Sequence, residues 1–224
     1  MRKNIALFLL IIIVGMFPAI AIGQVIPDEE VIELINGHIL QLDQLTNSNL
    51  SLIRQVGNEN SAISIQEQEG IVLNLVMMNH DGVGNAGYIE HAGSDLKTYL
   101  HQHGLNNEAN LWSVGTNILT SVKQDGQGNV IKSYIENYGV NLRSAALLQD
   151  GNQNTIDLSL KGNGFGNNLL EQIVIINQYG NQHEVTAFIE PFSTPVEIKQ
   201  YSGTGGEGMK VNISTSTFNF PMKK

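Results

Sequence analysis

From Asn49 onward, apolar and polar residues alternate with a period of two, the mark of strands that turn one face inward. The inward positions read Asn49, Ser51, Ile53 and Gln55, then Asn74, Val76, Met78 and His80, then Leu96, Thr98, Leu100 and Gln102. They continue as Thr120, Val122 and Gln124; Ala145, Leu147 and Gln149; Val174, Ile176 and Gln178; and Val196, Ile198 and Gln200. Arg54, Lys97, His101, Lys123 and Lys199 fall between them, on the outward side. Four residues after most of these segments a second alternating set begins. It reads Asn60, Ala62, Ser64 and Gln66; Asn107, Ala109, Leu111 and Ser113; Asn129, Ile131, Ser133 and Ile135. It goes on as Asn154, Ile156, Leu158 and Leu160, then His183, Val185, Ala187 and Ile189. Each unit is therefore strand, turn, strand, turn. One such hairpin is marginal in water, so the units have to stack. The pattern predicts an all-β fold, a cross-β-like parallel β-solenoid of about seven units.

The turns carry a repeated phrase, Gln-x-Gly-x-x-Asn. It stands at Gln55/Gly57/Asn60, Gln102/Gly104/Asn107, Gln124/Gly126/Asn129 and Gln149/Gly151/Asn154. His80/Gly82/Asn85 puts His in the Gln slot, and Gln178/Gly180/His183 puts His in the Asn slot. A frayed copy starts at Gln200. The turn glycines Gly57, Gly82, Gly104, Gly126, Gly151 and Gly180 step by 25, 22, 22, 25 and 29 residues, a solenoid period.

Outside the repeat the pattern changes. Residues 1–23 read as a secretory signal: basic Arg2 and Lys3, an apolar run from Ile5 to Val14, and small residues near Gly23. Residues 24–48 have acidic Asp28-Glu29-Glu30 before Val31, Ile32, Leu34, Ile35, Ile39, Leu42 and Leu45 at helical spacing. They are expected to form a leader or an amphipathic cap over the end of the array, with a targeting segment as the other reading. The solenoid is expected over 49–215, and 216–224 form a tail ending in Met222-Lys223-Lys224.

Composition narrows the partners. Removing Arg2 and Lys3 leaves 10 basic residues against 21 acidic ones, which argues against nucleic acid. There is no Cys, so stability must come from hydrogen-bonded strands and stacking. Only 15% of residues are charged, and Asn and Gln are abundant, a composition prone to β-association.

A polar residue repeated at an inward strand end needs a partner. A side-chain amide both donates and accepts, so stacked copies satisfy one another. The expected ladder, and the self-assembly surface, comprises Gln55, Asn60, Gln66, His80, Asn85, Gln102, Asn107, Gln124, Asn129, Gln149, Asn154, Gln178, His183 and Gln200. In the two degenerate copies, imidazole is expected to replace an amide as donor and acceptor. End units keep unpaired amides and strand edges, so a solenoid with matching ends is inclined to polymerise end to end.

The spacing Gln-x-Gly-x-x-Asn-x-Ala-x-x-x-Gln, complete at Gln55, Gly57, Asn60, Ala62 and Gln66, resembles the curlin repeat of bacterial curli fibre subunits. The resemblance covers about 49–215. It implies a secreted functional amyloid that leaves the cell unfolded through an outer-membrane pore with accessory proteins. It further implies polymerisation with its own copies and with a second, nucleating curlin subunit, giving surface fibres for biofilm matrix and adhesion. The chain departs from the family where Ser is common six residues before the Gln: Asn49, Asn74, Leu96, Ile118, Arg143 and Gln172 stand there. Ser113, Ile135, Leu160 and Ile189 replace the second inward Gln.

No enzyme signature accompanies this. There is no Gly-x-Ser-x-Gly, no phosphate-binding loop and no paired-carboxylate constellation on one face, so no catalysis and no cofactor are expected. The six His residues fall at no recognisable metal-ligand spacing. The alternative reading is a capped, monomeric solenoid that binds surface carbohydrate, for which Tyr88, Tyr99, Tyr134, Tyr138 and Tyr179 are the candidate contacts.

Overall fold

The computed structural model describes residues 49–67, 74–94, 96–138, 144–162, 173–189, 196–202 and 206–214. The signal, leader and tail expectations lie outside these residues. So do the second-corner turns expected at Gly70, at 139–141 and at 163–166, and the flanking Pro191 and Pro195.

Among the described residues there is no helix. The first sheet holds β1 (Asn49–Val56), β3 (Asn74–Val83), β5 (Lys97–Leu105), β8 (Leu119–Gln127), β11 (Ser144–Asn152), β13 (Ile173–Tyr179) and β15 (Val196–Tyr201), in that order. The second holds β2 (Ser61–Gln66), β4 (Ala86–His91), β6 (Glu108–Trp112), β9 (Val130–Ile131), β12 (Thr155–Ile156), β14 (Glu184–Thr186) and β16 (Lys210–Asn212), stacked the same way. A short third ribbon pairs β7 (Val114–Gly115) with β10 (Glu136–Asn137). Every pairing is parallel, and successive strands of the chain alternate between the two main sheets. The chain thus coils as a parallel β-solenoid.

The register follows the repeated phrase. Gln102 pairs with Gln124, Gln124 with Gln149, and Gln149 with Gln178. Pairing also runs on through the turn glycines: Gly82 opposes Gly104, Gly104 opposes Gly126, and Gly126 opposes Gly151. Turns of one shape stack as readily as strands do.

Between the sheets the inward residues close into one apolar core. Met78, Leu100, Val122, Leu147 and Ile176 from the first sheet meet Ile89, Leu111, Ile131, Ile156 and Val185 from the second. Each aliphatic side chain so buried contributes about 1.5–3 kcal/mol.

The second strands are shorter than the alternation predicts. β9 ends at Ile131 and β12 at Ile156, although Ser133, Ile135, Leu158 and Leu160 further along are buried as expected. The backbone changes hand there: φ is positive from Ser133 to Tyr138 and from Ser159 to Lys161. Residues in that region leave the extended conformation a ladder needs, yet still direct alternate side chains inward.

The ends of the stack differ. In β1 the inward Ile53 is 46% exposed, whereas Ile198, in the same column at the other end, is 8% exposed. The difference lies in the last turn, where the frayed copy of the phrase at Gln200 was expected. Opposite Gly180 stands Ser202, and opposite His183 stands Met209, as the Tyr179↔Tyr201 and Glu184↔Lys210 pairings require.

Candidate functional site

Three columns, of Gln, Gly and Asn, stack at the corner where the first sheet turns into the second. The Gln column is continuous from Gln102 to Gln200. Gln102 Nε2 donates to Gln124 Oε1 at 2.7 Å, Gln124 to Gln149 at 2.9 Å, Gln149 to Gln178 at 2.9 Å and Gln178 to Gln200 at 2.8 Å. The second proton of each amide reaches a backbone carbonyl of the facing strand, Glu108 O for Gln124 and Val130 O for Gln149. All five side chains are buried. A buried amide with both protons placed avoids the desolvation cost of an orphan donor.

The Asn column forms the expected amide ladder in part, Asn107 Nδ2 donating to Asn85 Oδ1 and Asn129 Nδ2 to Asn107 Oδ1, each at 3.0 Å, and adds bonds to the backbone. Each Asn Oδ1 accepts the backbone N–H of the next unit: Asn60 from Asn85 at 3.0 Å, Asn85 from Asn107 at 3.1 Å, Asn107 from Asn129 at 3.1 Å and Asn129 from Asn154 at 3.0 Å. Each Nδ2 donates to the next turn's glycine carbonyl, as Asn60 does to Gly82 at 3.0 Å and Asn129 to Gly151 at 2.7 Å. The Asn residues thus fasten the turns, and the Gln residues fasten the strands.

The glycine column explains itself sterically. A Cβ built on Gly57, Gly82, Gly104, Gly126 or Gly151 overlaps the carbonyl oxygen of the next glycine in the stack. Their φ values lie between +97° and +131°, which side chains resist. Close stacking and positive φ both demand glycine.

The two His substitutions behave differently. His183 reproduces its Asn. Nδ1 accepts the Met209 N–H at 3.0 Å, as Oδ1 would, and Nε2–H faces the Tyr179 carbonyl at 3.0 Å. His80 does not reproduce its Gln, contrary to expectation. Among the described residues both buried ring nitrogens find no partner, and Gln102 Oε1 finds no donor. The ring lacks the reach and flexibility of the amide it replaces, so the Gln column is interrupted between Gln55 and Gln102. Desolvation, then the neighbouring His101, lowers the His80 pKa from 6.5 to about 4.

Gln66 sits at the opposite corner. Its Nε2 donates to Asn74 O at 3.1 Å and its Oε1 accepts from Ser51 Oγ at 3.0 Å. In register with it is His91, which the sequence reading left without a role. His91 bonds Asn74 Oδ1 at 2.7 Å and Thr98 Oγ1 at 2.8 Å in full burial, which lowers its pKa to about 4. The signal for it was available: His91 lies 25 residues after Gln66, the same step that separates Gly57 from Gly82.

Trp112, on the outer face of the second sheet, packs against Tyr134 at 6.3 Å between ring centroids. Lys161 Nζ lies 5.9 Å from the Tyr134 ring and 5.5 Å from Phe188. Tyr88 and Tyr134 donate to Glu90 and Glu136 at 2.7 and 2.8 Å. Of the other tyrosines, Tyr179 stacks on Tyr201 on the first sheet, Tyr99 lies on that same sheet, and Tyr138 is exposed. Among the described residues no group of three or more His, Asp or Glu could hold a metal ion. Compared with protein-family models, with curated proteins and with solved structures, the chain matches none of them.

Proposed function

We propose that this chain is a structural subunit of extracellular, curli-like amyloid fibres, assembled by stacking solenoids end to end. The observation that carries the reading is the polar corner. Buried Gln and Asn columns lock parallel rungs in register, and each rung's hydrogen bonds are completed only by the next. The cohesion is therefore of the kind that a further chain extends. In this reading all seven strand pairs form one cross-β unit and residues 1–23 direct export. The fibres contain copies of this chain and of a second subunit, secreted through an outer-membrane pore, and they serve biofilm matrix, adhesion and surface colonisation. The ladder residues from Gln55 to Gln200 act in assembly and not in catalysis.

The test uses residues 24–224, purified from denaturant and diluted into buffer, followed by thioflavin fluorescence and electron microscopy. Lag-phase growth of thin unbranched fibres, with the lag removed by sonicated fragments, is the expected result. A soluble, dye-negative, β-rich monomer overturns it. That outcome favours the second reading, a monomeric solenoid for carbohydrate. The exposed Trp112 beside Tyr134, with Glu136 and Lys161 at hand, offers the flat face and polar rim that a sugar needs.

A further inference from the structure

The two ends of the stack carry different chemistry at the three column positions. At the first turn the repeated phrase is complete: Gln55, Gly57 and Asn60. The inner face there is open, with Ile53 46% exposed and Gln55 exposed. At the last turn only Gln200 remains, and it is 1% exposed. Ser202 fills the glycine slot and Met209 the Asn slot.

The direction of each contact decides what this means. At the junctions that run from Gly57 to Gly180 the earlier unit supplies the glycine that must lack a Cβ, because the next glycine's carbonyl lies where that atom would be; Gly180 itself faces the Ser202 side chain. The earlier unit also supplies the Asn Oδ1 that accepts the next unit's N–H, and the Nδ2 that donates to the next glycine carbonyl. In a copy-on-copy junction the earlier unit is the last turn of one molecule and the later unit is β1–β2 of another. There Ser202 sets its Cβ against the Gly57 carbonyl. Met209 offers the Asn60 N–H a thioether, a weak acceptor, and offers the Gly57 carbonyl no donor. Toward its own preceding rung the last turn is joined in the usual way: Asn181 N–H donates to Ser202 Oγ at 3.0 Å, and Met209 N–H to His183 Nδ1 at 3.0 Å.

We propose that the β1–β2 end is the docking edge for a second, different solenoid subunit, one whose last turn carries Gln, Gly and Asn at these slots, and that the β15–β16 end is the weaker joint. This rests on the fibre-subunit reading and sharpens it: the two ends of a fibre differ, which gives it a direction. Copies of the chain alone still join, but more slowly than they join the second subunit, because their last turn fits their first imperfectly.

The full mature chain tests this against its S202G/M209N variant, which sets Gly and Asn in register with Gly180 and His183 and so serves as the missing partner. Seeded elongation of the variant on its own fragments is expected to be at least about tenfold faster than that of wild type on wild-type fragments. Wild-type chain added at low ratio to growing variant fibres is expected to shorten them by slowing growth at one end. Equal elongation rates for the two chains overturn the proposal and leave the fibre reading standing. Absence of dye-positive fibres from both chains overturns the fibre reading and this proposal with it. Should the variant fail to fold by circular dichroism, Ile53→Lys in the wild-type background decides. The exposed charge at the open end is expected to abolish wild-type seeded growth without lowering the melting temperature, and seeded growth equal to wild type overturns the assignment.

Discussion

The same inward column looks different at Gln149 and at His80. At Gln149 the amide accepts from Gln124 and donates to Gln178 and Val130 O, three bonds within a buried slot. At His80, equally buried, the ring makes no hydrogen bond to a described residue. The stack holds its register through both. What differs is how the misfit is absorbed. Opposite His80 stands Gly87, where the neighbouring rungs have Ala62 and Ala109. A Cβ on Gly87 would come within 2.8 Å of His80 Nε2 and 2.7 Å of Leu100 Cδ2. The larger ring is accommodated by a smaller partner in its own rung. Volume is restored locally, and hydrogen bonding is not.

The comparison breaks first under substitution by Leu. Gln149→Leu removes a donor and an acceptor from an intact column and leaves the Gln178 Oε1 orphaned, so it is expected to cost about 2 kcal/mol. His80→Leu removes no bond and is expected to change stability by less than about 1 kcal/mol. Denaturant titration of the two soluble variants measures both, and equal losses would show that the column bonds carry no net stability.

Acid sharpens the contrast. His80 and His91 have folded pKa values of about 4 against an ordinary 6.5. Below pH 6.5 the unfolded chain takes up protons that the folded chain refuses, so their contribution is intact above 6.5 and is lost as pH falls toward 4. His103, raised by its bond to Asp125, works in the opposite sense, but it is exposed and screened. Melting temperature is therefore expected to decline from pH 6.5 to 4, and the decline is expected to be shallower in His80→Gln. An unchanged slope in that variant would remove His80 from the account.

The smallest effect tests the size compensation. Gly87→Ala alone is expected to destabilise by about 1 kcal/mol, through overpacking against His80. In the His80→Gln background it is expected to cost less than half as much, a coupling of about 0.5 kcal/mol or more in a double-mutant cycle. Additive losses would mean that Leu100 alone limits the site.

Much of the architecture was readable from the chain. Gln-x-Gly-x-x-Asn fixes which residues oppose one another, because an amide and a Cβ-less turn each demand their like in the next rung. The places that were not readable share a cause. His is a donor and an acceptor on paper at both 80 and 183, but whether its ring reaches a partner depends on geometry that one letter does not carry. Ser133 to Tyr138 adopts positive φ without a glycine to announce it, so the alternation continues to suggest strand where the ladder has stopped. The last turn falls between these cases. Tyr201-Ser202 stands where the phrase would have any residue and then Gly, a departure that gains meaning only once the glycine column shows what a Cβ would strike.

The spacing between successive Gln residues varies from 22 to 29 while their hydrogen bonds stay between 2.7 and 2.9 Å. The Gln-x-Gly-x-x-Asn phrase keeps one length from the copy at Gln55 to the copy at Gln178, so the variation falls outside it. The polar columns therefore set the pitch of the stack, and the length of chain from one rung to the next is free to vary around them.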